Sequence, residues 1–148
     1  MAFKETIHIN APVETVFDVT TDFKNAMSIM DNVVKIEILT DGPIQVGTRV
    51  KEVRKMRGKE AETVLVVTEC ILNQKYAVKS EDSGITVEYH YLFNAKANGT
   101  SVDFNGLIHT KGLKNYLLKP LIEMILKKED KNHLVQLKKY IENVGENK

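Results

Sequence analysis

Residues 87–106 read VEYHYLFNAKANGTSVDFNG, and the way this stretch pairs with itself decides the fold. Before its centre the alternate positions are Val87, Tyr89, Tyr91 and Phe93; after it come Val102 and Phe104. Large apolar residues at a period of two mark strands with one buried face. Asn98-Gly99 between them is a two-residue hairpin signal, because both residues tolerate positive φ. With that turn, Phe93 faces Phe104, Ala95 faces Val102, Tyr91 faces Gly106 and Tyr89 faces Ile108. On the opposite face Glu88 meets His109 and Asn94 meets Asp103. A slip of one residue would set aromatic rings against polar groups. One face of the hairpin is therefore heavily aromatic, and the rest of the chain must cover it.

Upstream, Phe3, Glu5, Ile7 and Ile9 alternate with Lys4, Thr6, His8 and Asn10, a strand pattern. Asn10-Ala11-Pro12 ends it, with Asn10 placed to cap a helix and Pro12 in its first turn. That helix holds Val13, Val16, Phe17 and Val19, and a second short one covers Phe23 to Met30. Strands resume at 33–39, 48–56, 60–70 and 75–80. The segment DGPIQVG at 41–47 reads as a loop, and Arg57-Gly58-Lys59 and Asp82-Ser83-Gly84 read as turns. From about Tyr116 to Val144 the spacing predicts one long helix, with Leu118, Ile122, Ile125, Leu134, Leu137 and Ile141 as its buried stripe. Pro120 falls in its first turn, or kinks it if the helix starts earlier. Strand, two short helices, antiparallel strands and a final helix make an α+β order. A helix of about 25 residues spans ~38 Å and a strand of about 11 residues ~36 Å, so the helix can lie along the sheet.

Composition narrows the classes. A chain of 148 residues suits a single domain over 1–148. Lys plus Arg number 21 against 20 for Asp plus Glu, a balance that gives no support to nucleic acid or an anionic membrane as main partner. Cys70 is the sole cysteine, which excludes an internal disulfide and favours a reducing, cytoplasmic setting. The start MAFKETIHIN has no apolar core of a signal peptide. No stretch approaches the roughly 20 apolar residues of a membrane span, so no integral membrane association is expected.

A long antiparallel sheet curls as it twists, and one helix touches only part of its concave side. The aromatic face is then either a filled core or the wall of a ligand cavity, and no tryptophan is present to fill the space. The chain also resembles the SRPBCC superfamily, of the polyketide cyclase/dehydrase and lipid-transfer type, related to the birch-pollen allergen and START domains. The resemblance is carried by INAPVETVFDVTTDF (9–23), GPIQVGTRVKE (42–52), VVTE (66–69), NGTSVDF (98–104) and LKKYIEN (137–143). It implies a helix-grip fold, in which a curved antiparallel sheet wraps a long C-terminal helix around an apolar pocket. It is weak for function, since no catalytic signature unites the family.

The expected cavity wall is Phe17, Tyr76, Tyr89, Tyr91, Phe93, Phe104, Leu118 and Ile122. Tyrosines suit such a wall, since the ring packs and the hydroxyl orients a guest. Glu52 and Arg54 join it if their strand places Val50 inward; the opposite phase turns Val53 inward and leaves both charges in water. An inward pair could recognise a carboxylate or hydroxyl. Glu88, His90 and His109 gather on the outer face, where an exposed ion pair is the plainer reading than zinc. Cys70 has no CxxC partner, and no GxSxG, HExxH, P-loop or GxGxxG motif occurs, so no metal and no cofactor are expected. KKEDK at 127–131 reads as a solvated helix face. Val64 and Val66, outward if Leu65 and Val67 are inward, suggest a homodimer patch. The leading expectation is a binding protein for a small hydrophobic or amphipathic molecule. Two alternatives stand beside it: a polyketide cyclase/dehydrase-like enzyme with acid–base groups in the same cavity, and a protein-interaction module with a vestigial cavity.

Overall fold

The computed structural model describes residues 3–30, 32–56 and 58–146, without the side chains of residues 3, 56, 128–131 and 144–146. Arg57 of the expected turn and most of KKEDK thus lie outside the described residues or side chains. Seven strands form one curved sheet: β1 (Phe3–Ile9), β2 (Val33–Ile38), β3 (Arg49–Met56), β4 (Lys59–Ile71), β5 (Lys75–Asp82), β6 (Ile85–Lys96) and β7 (Gly99–Thr110). Their order is β1-β7-β6-β5-β4-β3-β2, with every neighbouring pair antiparallel. Register shifts at Val33/Lys35 and Val67/Glu69 mark bulges, which bend strands. Helices α1 (Val13–Thr21) and α2 (Ala26–Ile29), joined by a 3-10 turn, link β1 to β2, and α3 (Leu113–Glu146) closes the chain. The helix-grip architecture is the one the sequence implies.

The hairpin register differs from its sequence reading by two residues. Lys96 pairs with Gly99, Phe93 with Val102, Tyr91 with Phe104, Tyr89 with Gly106 and Val87 with Ile108. The turn is therefore Ala97-Asn98, and neither residue has positive φ. Gly99 opens β7 instead, at φ +138°, where an added Cβ would collide with the Ile9 carbonyl oxygen. The glycine is demanded by the approach of β1, not by the turn. A shift of two keeps each side chain on its face. Two outward contacts survive as diagonals: Glu88 Oε2 lies 3.2 Å from His109 Nε2, and Asn94 Nδ2 donates to Asp103 at 3.4 Å.

The N-cap of α1 is Pro12, not Asn10, and no side chain caps the helix there. The Asn10 N–H is occupied elsewhere, donating to Glu142 of α3 at 3.1 Å. The same carboxylate accepts from Lys138 at 2.6 Å, and these bonds hold it below the usual carboxylate range.

The core lies between the concave face of the sheet, α1 and the second half of α3. Ile9, Val16, Val50, Val67, Val102, Phe104, Leu134, Leu137 and Ile141 are all under 2% exposed. Each such apolar side chain contributes about 1.5–3 kcal/mol by leaving water. The helix starts earlier than its periodicity suggests and bends at residues 128–131, while Pro120 sits well inside it. The gripped stripe is Leu134, Leu137 and Ile141. Leu118 is 38% exposed, and Ile122 and Ile125 are half-buried. Leu65 and Val67 point inward and are buried, leaving Val64 and Val66 half-buried outside. Among the described residues no helix is long and apolar enough to cross a membrane.

Candidate functional site

A partly open cleft lies between the α1–α2 region, the inner face of the sheet and α3. Phe23, Ala26, Ile29 and Met30 form one wall. Glu52 and Arg54 of β3, Tyr76 of β5, Tyr89 and Tyr91 of β6 and Phe104 of β7 form the floor. His133 and Leu137 of α3 close it. Their free space is about 70 Å³, room for a few waters rather than the ~300–1,000 Å³ of a typical small-molecule site.

The rings explain the tightness. Tyr91 lies 4.8 Å from Phe104, which is directly opposite it in the ladder, and 5.8 Å from Tyr76. Tyr89 stacks on Phe104 at 5.7 Å, with their planes only 9° apart. Phe17 and Phe93 meet edge to face at 5.2 Å in the core behind the cleft and do not line it. Leu118 and Ile122 also lie outside the lining, on the first half of α3. The structure thus brings six of the expected wall residues together: Glu52, Arg54, Tyr76, Tyr89, Tyr91 and Phe104.

Strand parity settles where Glu52 and Arg54 point. Val50 is fully buried on the inner face, so the side chains two and four residues on share that face. Glu52 is 3% exposed, and Arg54 Nε donates to its Oε1. Arg54 also reaches Met30, its Nη2 lying 3.9 Å from Sδ. The buried Glu52 carboxylate is held among aromatic rings because the half-buried Arg54 neutralises it; alone it would be strongly unfavourable there. Val53, on the other phase, is buried too, at 6% exposed.

Sequence reasoning passed over the second polar feature. The Tyr91 hydroxyl and His133 Nε2 are 2.7 Å apart. Burial, helped by the positive charge of Arg54, pushes the imidazole down to about 4, so His133 is neutral at pH 7. Its Nδ1 is buried and has no hydrogen-bond partner. A neutral imidazole has one donor and one acceptor nitrogen, so whichever role Nε2 takes toward Tyr91, Nδ1 offers the other to a guest. The sequence did carry a signal. His133 lies four residues before Leu137 and eight before Ile141, on the helix face that is buried.

Like His133, the Tyr76 phenol is perturbed. Burial raises its pKa, and Tyr91, Cys70 and Glu52 add to the effect in that order. It remains a neutral hydrogen-bonding group. Cys70 is likewise raised by burial, which makes it a weak nucleophile. On the outer face Glu88 lies between His109, at 3.2 Å, and His90, at 3.9 Å. Among the described residues no group of three His, Cys, Asp or Glu side chains converges as metal ligands do.

The family model described as polyketide cyclase / dehydrase and lipid transport matches residues 1–142. No curated protein sequence matches the chain. Similar solved structures include TTHA0849 from Thermus thermophilus, at 17% identity and TM-score 0.77, covering 95% of this chain and 97% of that one. Ara h 8.0201 aligns at 17% identity and TM-score 0.75, with 95% of this chain and 97% of that one covered. Zhui aromatase/cyclase from Streptomyces sp. R1128 aligns at 13% identity and TM-score 0.75, covering 95% and 92%. At such identities these structures speak to the fold alone, while the family match spans almost the whole chain. The chain therefore belongs to the polyketide cyclase/dehydrase and lipid transport family of the SRPBCC superfamily.

Proposed function

We propose that the protein binds a small amphipathic molecule in the cleft between α2, the sheet and α3. The observation that carries this is the polar set, Glu52–Arg54 and Tyr91–His133, converging in a mostly apolar cleft whose lining also holds Thr20 and Asp22. A core built only for stability has little use for an ion pair, since apolar residues of the same shape serve as well. An apolar wall with a few convergent polar groups is the usual form of a small-molecule site. A carboxylate or hydroxyl head would face Arg54 and His133 Nδ1, and an apolar body would lie against Phe23, Met30 and Tyr89. The free space of about 70 Å³ requires the cleft to widen on binding. The first half of α3, held by few buried contacts, is the segment free to shift. The family's printed description, which joins lipid transport to cyclase chemistry, supports this ligand class. A reducing, cytoplasmic setting is part of the proposal and is supported by the lone, unpaired Cys70.

Thermal unfolding in the presence of medium-chain fatty acids, sterols and fused-ring phenols tests this reading. A ligand at a hundredfold excess over its Kd stabilises by about 2.7 kcal/mol, a readable rise in Tm. At least one class should raise Tm in the parent protein and lose that effect in Arg54→Met. No rise with any class contradicts the reading.

A second reading, acid–base catalysis on a polyketide-like substrate, is favoured by one observation: a neutral histidine hydrogen-bonded to a tyrosine and holding a second, unpaired nitrogen. Such a pair can hand a proton to or from a bound enol or phenol. If the protein is an enzyme, Tyr91→Phe should abolish turnover and leave ligand affinity nearly intact. If it is only a carrier, no turnover exists to lose.

A further inference from the structure

The first half of α3 is apolar on the side that faces water. Leu113, Tyr116, Leu117, Leu121 and Met124 are between 49% and 74% exposed. At 3.6 residues per turn they fall within an arc of about 140°. The side turned to the protein, with Asn115, Ile122 and Leu126, is half-buried. A helix apolar on both sides is normally covered on both. Contiguous exposed apolar side chains on an otherwise charged surface mark a contact site.

The charge around this patch says what covers it. Residues 111–128 hold five lysines against a single glutamate, Glu123, while the whole chain carries only +1. The segment thus carries +4 and the rest of the chain −3, so the excess positive charge is local to it. By helical spacing Lys114 borders the arc, Lys119 lies on the side turned to the protein beside Leu126, and Lys111 and Lys127 lie at the ends of the patch. Lys119 approaches Glu123 at 3.9 Å. A second copy of the chain docked face to face on this helix would set one segment of net charge +4 against another. An anionic lipid surface instead satisfies both features, taking the apolar side chains into the acyl boundary and the lysines at the headgroups.

We propose that the first half of α3 is an interfacial anchor that docks the protein on anionic lipid bilayers. The geometry is that of a helix lying in the plane of the interface, with Leu117, Leu121 and Met124 inserted and the flanking lysines at the phosphate level. Docking does not depend on what the cleft binds. Its position on the helix that also supplies His133 and Leu137 to the cleft would let lipid contact shift the segment whose movement opens the cleft.

Vesicle flotation of the full chain tests this, using vesicles of phosphatidylcholine alone and of phosphatidylcholine with phosphatidylglycerol at three to one. Each lysine near such a surface strengthens binding about fivefold. Partition into the mixed vesicles should exceed that into neutral ones at least tenfold, and 0.5 M salt should remove most of the difference. Leu117→Asp with Leu121→Asp should abolish binding, and Lys114→Gln with Lys127→Gln should weaken it at least tenfold. Size-exclusion chromatography runs beside the flotation. The chain has no tryptophan, so Tyr116→Trp gives a second readout that leaves the fold untouched, a blue shift in emission on the mixed vesicles alone. Equal partition into both vesicle types overturns the proposal, as does binding unchanged in the aspartate pair or an indole emission that does not move in the Tyr116→Trp variant. A dimer that the aspartate pair dissolves, with no vesicle binding by the parent, overturns it in favour of self-association.

Discussion

Glu52 and Arg54 are two residues apart on one strand, on the face where Val50 is fully buried, and their pairing makes a charged site tolerable inside the protein. Arg54→Ala should destabilise by about 3–5 kcal/mol, because it leaves the Glu52 carboxylate buried and unneutralised. Replacing both, Glu52→Leu with Arg54→Met, should recover most of that loss in urea unfolding. A single variant as stable as the parent would mean that the pair is in water. His133 gives a pH signature. Its pKa is about 4 in the folded protein against 6.5 in a free histidine, so the unfolded chain binds the proton more readily. Its contribution is constant above 6.5 and is lost progressively as pH falls toward 4. Between pH 6.5 and 5 the parent should lose about 1.6 kcal/mol that His133→Phe does not lose. Parallel pH profiles for the two proteins would contradict the burial of the imidazole. At this scale the sequence was half legible. Strand parity pointed Glu52 and Arg54 inward only if Val50 faced the core, which the alternation could not decide. His133 was hidden by the charged run before it, although its spacing to Leu137 and Ile141 marked the buried face.

At the scale of elements, the β6–β7 hairpin shows how a strong local signal can be overruled. Asn98-Gly99 has the composition of a two-residue turn, yet Gly99 is needed one position later, where β1 passes too close for any Cβ. Gly99→Ala should therefore destabilise by about 2 kcal/mol or more, through both the collision and the strained φ. Asn98→Ala, at a turn position without positive φ, should stay within about 0.5 kcal/mol. Similar losses in urea unfolding would restore the other register. The faces of the hairpin were legible because side-chain alternation survives a shift of two; the register was not, because it depends on a neighbouring strand about 90 residues away in the chain. The last helix divides in the same way. Leu134→Ala and Leu137→Ala should each lose about 2–5 kcal/mol, and Leu117→Ala almost nothing, since its side chain is 68% exposed. The periodicity of Leu118, Ile122 and Ile125 predicts one continuous buried stripe, but the bend at residues 128–131 removes the first half from the grip.

For the whole molecule, order and length of elements were enough to imply a sheet wrapped around one long helix, and the family match agrees with that architecture. The size of the cleft was not legible. It is set by how Tyr76, Tyr89, Tyr91 and Phe104 interlock, which follows from the two-residue register and from ring orientations that a pattern of letters does not carry. These rings leave about 70 Å³, so the account rests on a cleft that widens around its guest. The direct test is an NMR titration that follows the His133 imidazole and the Tyr91 ring while fatty acids, sterols and fused-ring phenols are added in turn. The account predicts that at least one class shifts both side chains saturably, together with methyl signals of Met30 and Leu137. Resonances of the cleft that stay unmoved through every titration, or that move only with surface residues, would contradict it.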